Sequence, residues 1–167
     1  MFVSEVYAVI PARSGSKGIK DKNLQRVGGS SLLELAIDAA KAMFVKPRVI
    51  VSTDSELYAQ VAKTRGAEAP FLRPKALASD SSTDFELFED IKEKLGLGDS
   101  AIILHLRPTT PFRSPSILDE ALKLYLTSME NISSLRSVHV MAESSYKSFE
   151  MSDGYLVPVC GGLTSLS

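Results

Sequence analysis

Val6-Tyr7-Ala8-Val9-Ile10-Pro11-Ala12-Arg13-Ser14-Gly15-Ser16-Lys17-Gly18-Ile19-Lys20-Asp21-Lys22-Asn23 decides how the chain is read. The apolar run Val6 to Ile10 is short, rich in β-branched and aromatic residues and bounded by Pro11, which predicts a buried strand. Directly after it come two glycines and the cations Arg13, Lys17, Lys20 and Lys22. Such a loop can turn backbone N–H groups and positive side chains toward one anion. Glycine permits close approach or positive φ, and the cations offset a polyphosphate's charge. A phosphate-bearing nucleotide suits it; composition alone equally allows a solvated basic surface loop. Two familiar phosphate loops do not fit. The order Gly15-Ser16-Lys17-Gly18 is wrong for G-x-x-x-x-G-K-[ST], and no G-x-G-x-x-G is present.

Outward from that stretch, strand-like and helix-like segments alternate, predicting an α/β fold with a mostly parallel sheet. Ser31 and Glu34 form a capping box for a helix whose apolar positions are Leu33, Ala36, Ile37, Ala40, Met43 and Phe44. Val49-Ile50-Val51 is the next strand. A helix from Glu56 to Arg65 stops at Gly66, and a short strand is predicted around Ala67 to Phe71. Thr83 and Glu86 form a second capping box, with Phe85, Phe88, Ile91 and Leu95 as the inner face and Gly96 and Gly98 as the end. Ala101 to Leu106 is a strand; Ser114-Pro115 opens a helix to about Thr127. A strand is predicted around Leu135 to Val140. Asp153-Gly154 reads as a hairpin turn between Phe149-Met151 and Tyr155-Val157.

With 167 residues, 44% hydrophobic and 23% charged, the chain is expected to form a single domain spanning 1–167. A net charge of −1 gives no reason for non-specific adsorption to nucleic acid or membrane. The one cysteine, Cys160, has no internal partner and suits a reducing compartment. No stretch reads as a signal peptide or a membrane span, so a cytoplasmic location is expected.

Four motifs in order give the chain a family likeness. The loop reads A-R-x-x-S-K-G-x-x-x-K-N; Ser52-Thr53-Asp54 ends the second strand; Leu72-Arg73-Pro74 is followed by Leu77-Ala78-Ser79-Asp80; and Leu106-Arg107-Pro108-Thr109-Thr110-Pro111-Phe112-Arg113 follows a later strand. Together, from about Val6 to Val159, they resemble the CMP-sialic acid synthetases, or acylneuraminate cytidylyltransferases, including those acting on legionaminic and pseudaminic acids. The resemblance implies a three-layer α/β/α, Rossmann-like fold of the nucleotide-diphospho-sugar transferase type. It also implies transfer of CMP from CTP to the anomeric hydroxyl of a nonulosonic acid, with release of pyrophosphate.

The resemblance extends to residues. Arg13 and Lys22 would contact the triphosphate and the departing pyrophosphate, with Lys17 and Asn23 in the same constellation and Ser14 in the CTP loop. Ala12 and Gly15 would act through backbone and space. Arg73 would serve the cytidine end, with Ser79 and Thr83 as hydroxyl partners, although Thr83 also reads as a helix cap. On the sugar side stand Arg107, Thr109, Thr110 and Arg113, with His139, Tyr146 and Lys147 further on. Arg107 departs from the family's glutamine: a permanent cation with no acceptor replaces a neutral amide and suits a substrate carboxylate. Asp54 has two readings, organising a metal or nucleotide and capping the next helix. His105, within a strand, reads as a packed residue.

Family members continue into an R-Q/N-G region and an aspartate pair that binds a divalent metal. Gly161 to Ser167 matches neither and reads as an interruption within a loop. Magnesium and a homodimer are therefore implied by the resemblance without visible ligands or arm. Three other readings stand beside the main one. An incomplete CTP-binding or interaction module would lack the metal aspartates. A synthetase for an eight-carbon acid would carry Q-G-D at Arg107-Pro108-Thr109. A dinucleotide-dependent oxidoreductase would need the absent glycine fingerprint.

Overall fold

The computed structural model describes residues 5–15, 18–79, 81–138, 149–153 and 155–158. They fall into two compact units, residues 1–128 and 129–167.

The first unit is built on β1 (Val6–Pro11). Its four central residues, Tyr7 to Ile10, are all buried, as expected of a parallel strand covered on both faces. It lies between β4 (Arg48–Ser52) and β5 (Ile102–His105), both parallel to it. Register pairs Val9 with Ile50 on one side and with His105 on the other. A small hairpin precedes β4, with β2 (Arg26–Val27) and β3 (Ser30–Ser31) joined through Gly28 and Gly29 at φ 61° and 93°. Both turn residues need the left-handed region, which is why the Gly-Gly pair stands there.

Period-two alternation along β1 divides the core. Ala8 and Ile10 pack with α1 (Leu32–Lys41) and α2 (Glu56–Thr64) through Leu33, Ile37, Tyr58 and Ala62. Tyr7 and Val9 point the other way, joining Ile50 and the buried Leu87 and Ile91 of α3 (Asp84–Leu95). Leu122 of α4 (Pro115–Ser128) packs with Ile102 and Met43, and Leu104 borders both this group and the α1–α2 face. Helices thus cover the two faces of a parallel sheet, the three-layer α/β/α arrangement.

Both predicted capping boxes form. Ser31 Oγ accepts from the Glu34 N–H while Glu34 accepts from the Ser31 N–H; Thr83 and Glu86 do the same. Gly96 ends α3 at φ 62°. Four readings need correction. Residues 67–71 do not form a strand. Glu68 exchanges hydrogen bonds with Val49 and Val51, but only isolated bridges, Ile50–Glu68 and Thr53–Leu72, form. Pro70 has no N–H with which to continue a ladder. Phe44 is 92% exposed because α1 ends at Lys41, and the turn beyond it is held by Asp119, which accepts from the Phe44 and Val45 N–H groups. Phe85 is likewise exposed; Leu87 takes its place on the inner face of α3. Residues 135–138 adopt no strand, and 139–140 lie outside the described residues.

In the second unit, β6 (Phe149–Ser152) and β7 (Tyr155–Pro158) form the predicted antiparallel hairpin, with Asp153 at φ 50° in the turn.

Candidate functional site

At the carboxyl ends of β1, β4 and β5 lies a cleft of about 500 Å³. Open parallel sheets place ligand sites at this edge because the connecting loops gather there. Four segments line it: the loop after β1, the stretch from Arg73 to Ser82, the start of α3, and the loop after β5. Arg13, Lys22, Asn23, Arg73, Ser79, Thr83, Arg107 and Thr109, all singled out in the sequence, line this one cleft.

The first loop is held by polar contacts rather than by an apolar core. Buried Asn23 donates from Nδ2 to the Arg13 carbonyl at 3.1 Å. Arg13 Nη1 reaches the Ala78 carbonyl at 3.4 Å, spanning the cleft toward the Ser79 segment. Ser14 does not line the cleft. Its N–H and hydroxyl both donate to Asp54, at 2.8 and 2.9 Å. Ala12 is fully buried in the core, its N–H donating to the Ser52 carbonyl at 2.9 Å. Gly15 is exposed and does not line the cleft; a Cβ built there or on Gly18 would meet nothing within 4 Å, and neither residue has positive φ. The protein's own packing therefore does not demand either glycine. Lys17 lies outside the described residues.

Arg73 is 7% exposed. Its Nε donates to Ser52 Oγ at 3.0 Å and its Nη2 to the Ser52 carbonyl. Among the described residues no carboxylate pairs with it. Burial pulls its pKa below the ordinary arginine value; Asp54 opposes this and Arg13 adds to it. The group stays protonated at neutral pH, so the cleft carries a desolvated cation with a second one nearby. Ser79 Oγ lies 2.7 Å from Ser82 Oγ, and Ser82 donates to the Ala76 carbonyl at 2.8 Å. Thr83 is the cap of α3 and also borders the cleft.

Across the cleft, Arg107 Nη2 donates to Asp84 in the first turn of α3. His105 Nε2 is 3.9 Å from the other Asp84 oxygen and makes no hydrogen bond, and its ring meets Phe88 edge-on at 5.1 Å. Burial pushes the His105 pKa down, Asp84 pulls it up, and Arg107 and Arg113 push it down further. Thr110 and Arg113 do not line this cleft. The Thr110 N–H and Arg113 Nη2 both donate to the Arg107 carbonyl, at 3.2 and 2.6 Å, bracing the loop from behind. Arg113 instead borders a separate groove of about 530 Å³ beside Phe112 and α1. Tyr146, Lys147 and His139 lie outside the described residues.

Two features escape a sequence reading. Asp84 pairs with a residue 23 positions away, and nothing in its local pattern beyond a helix start points to Arg107. Asp54 does not cap α2, a role taken by Ser55; its carboxylate instead holds Ser14. Among the described residues no cluster of three or more Asp, Glu, His or Cys side chains is placed to hold a metal. None of the described helices is long and apolar enough to cross a membrane.

A cleft lined by several cations at the carboxyl edge of a three-layer α/β/α sheet is the arrangement in which open α/β folds receive their ligands. Residues 7–152 match the cytidylyltransferase family, and the chain belongs to it. It is 42% identical over 125 residues to an N-acylneuraminate cytidylyltransferase from Escherichia coli O18:K1:H7, a match covering 74% of this chain and 29% of that protein. Identity is 34% over 135 residues to a CMP-N,N'-diacetyllegionaminic acid synthase from Legionella pneumophila, covering 80% and 58%. Among solved structures, a CMP:2-keto-3-deoxy-manno-octonic acid synthetase complexed with CTP superposes with a TM-score of 0.64 at 21% identity, over 75% of this chain and 49% of that one. A 4-diphosphocytidyl-2C-methyl-D-erythritol synthase gives 0.58 at 11%, over 93% and 68%. These two likenesses are of fold. The sequence matches span between 29% and 58% of the two relatives named.

Proposed function

We propose that the chain transfers CMP from CTP to the anomeric hydroxyl of a nonulosonic acid of the sialic type. The hydroxyl oxygen forms a bond to the α-phosphorus, the bond from that phosphorus to the oxygen bridging it to the β-phosphate breaks, the hydroxyl proton passes to solvent, and pyrophosphate departs. Such a displacement needs positioned reactants and offset of charge on the phosphate oxygens more than covalent help from the protein. The observation that carries the reading is the gathering of Arg13, Lys22 and the buried Arg73, which pairs with no described carboxylate, in one cleft at the carboxyl edge of the sheet. A polyanionic ligand in that cleft would offset the positive charge gathered there.

In this reading Arg13 and Lys22, with Lys17, hold the triphosphate and stabilise the leaving pyrophosphate. Arg73, Ser79 and Thr83 face the cytidine end, where unmade hydrogen bonds would reject another base. Arg107 and Thr109 face the sugar, Arg107 offering a carboxylate a bidentate partner. Thr110 and Arg113 act there through the Arg107 backbone. Tyr146 and Lys147 keep a sugar-side role, and the homodimer its place, on the family resemblance alone; the single nucleotidyltransferase domain rests on chain length as well, and the cytoplasmic location on the sequence pattern. Magnesium has the same basis. The described residues offer it no three-ligand cluster, and no step of the reading runs through it.

The test is pyrophosphate release from CTP with magnesium, across a panel of nonulosonic acids and the eight-carbon acid. Release with one acid names the substrate. Binding of CTP with silence on every acid would favour a binding module instead. Arg13→Ala and Lys22→Ala are each expected to slow turnover by about 10²–10³-fold, and near-wild-type turnover in both would overturn their assignment.

A further inference from the structure

A carboxylate beside a polyanion site repels its ligand, so Asp54, at the carboxyl end of β4, calls for a physical reason. It accepts both donors of Ser14, the backbone N–H at 2.8 Å and the hydroxyl at 2.9 Å, from 40 residues away. That N–H and the Arg13 carbonyl belong to one peptide plane. The carbonyl end of the plane accepts from Asn23 Nδ2 at 3.1 Å. The plane is therefore gripped at both ends, and holding it restricts the directions in which the Arg13 side chain can leave the backbone. The far end of the loop is tied to the same helix region, because the buried Tyr58 hydroxyl of α2 donates to Asp21, at φ 48°, over 3.2 Å.

We propose that Asp54 is a positioning residue of the nucleotide loop: it locks the Arg13–Ser14 peptide so that Arg13 stands in the cleft before a triphosphate arrives. The inference rests on the cytidylyltransferase reading and extends it to a residue that touches no substrate. Ser14 is then a latch, and its hydroxyl is spent on Asp54 rather than on phosphate. The competing physical picture is that the carboxylate occupies the place of a phosphate oxygen, which a ligand must displace. The two predict opposite signs.

The experiment is calorimetric titration of the 167-residue chain with CTP and, separately, with inorganic tripolyphosphate, which lacks the base and sugar. Asp54→Ala is expected to weaken both ligands by a similar factor, about tenfold to a hundredfold, the scale of a misplaced binding group. Asp54→Asn should recover part of the loss, because its amide oxygen can still accept the Ser14 N–H. Adding Ser14→Ala to Asp54→Ala should cost little more, since the two residues share one latch. Unchanged affinity in Asp54→Ala overturns the proposal. Tighter binding overturns it in favour of the displaced carboxylate. A loss confined to CTP overturns it too, since the effect would then lie at the base. If Asp54→Ala does not fold, Asp54→Asn decides alone: an intermediate loss on both ligands sustains the proposal, and wild-type affinity overturns it. A wild-type chain that binds no CTP removes the functional reading itself and this inference with it, an outcome distinct from a silent variant.

Discussion

Arg73 holds a buried positive charge with Ser52 as its polar partner. Desolvating a cation that pairs with no described carboxylate costs stability, and the Ser52 carbonyl keeps a second donor, the Ala12 N–H, if the arginine is removed. Arg73→Met should therefore leave the ligand-free protein at least as stable, with a urea midpoint equal to or above wild type, while weakening CTP binding by about tenfold or more. A lowered midpoint with unchanged CTP affinity would reverse that account. His105 supplies a second test at this scale. Its pKa is depressed on folding, chiefly by burial and further by Arg107 and Arg113, with Asp84 opposing. The unfolded chain thus takes up the proton first on acidification. The contribution is fully present above the ordinary histidine value and is lost as pH falls from there through the depressed folded value. Urea unfolding at pH 7.5 and 5.5 should show lower stability at the acid value, and the part due to this group should vanish in His105→Gln.

The elements carry their own instructions. Ser31 and Glu34 close a reciprocal cap on α1, and the backbone N–H of Ser31 holds the Glu34 carboxyl below its usual range. Ser31→Ala should cost about 1 kcal/mol in thermal or urea unfolding, with turnover kept, because Ser31 lies outside the cleft. This cap was legible from four consecutive letters, as was the one at Thr83, since capping depends on residues one turn apart. Phe44 and Phe85 were misread at the same scale. Helical spacing marks a face but not where the helix stops or what stands opposite: α1 ends before Phe44, and Leu87 turns inward in place of Phe85. The strand predicted near Ala67 shrank to two bridges because pairing at a sheet edge is settled by the neighbour and by Pro70.

For the whole molecule, stability rests on β1 as the shared wall of two cores. Ile50, fully buried beside it, packs with Tyr7, Val9, Leu87 and Ile91. Ile50→Ala should cost about 2–5 kcal/mol by urea unfolding, several times the effect of a lost cap; a cost near 1 kcal/mol would mean the α3 layer can collapse onto the gap. The sequence by itself determined the alternation of strands and helices, the two capping boxes, the hairpin turn at Asp153 and the cationic loop after the first strand. Each follows from residue types a few positions apart, whose physics is local. The tertiary structure alone decided that Asp54 holds Ser14, that Asp84 holds Arg107 and that Arg73 is buried on Ser52. Those contacts join residues 21 to 40 positions apart, and they depend on strand order and register, which bring the loop ends to one edge of the sheet.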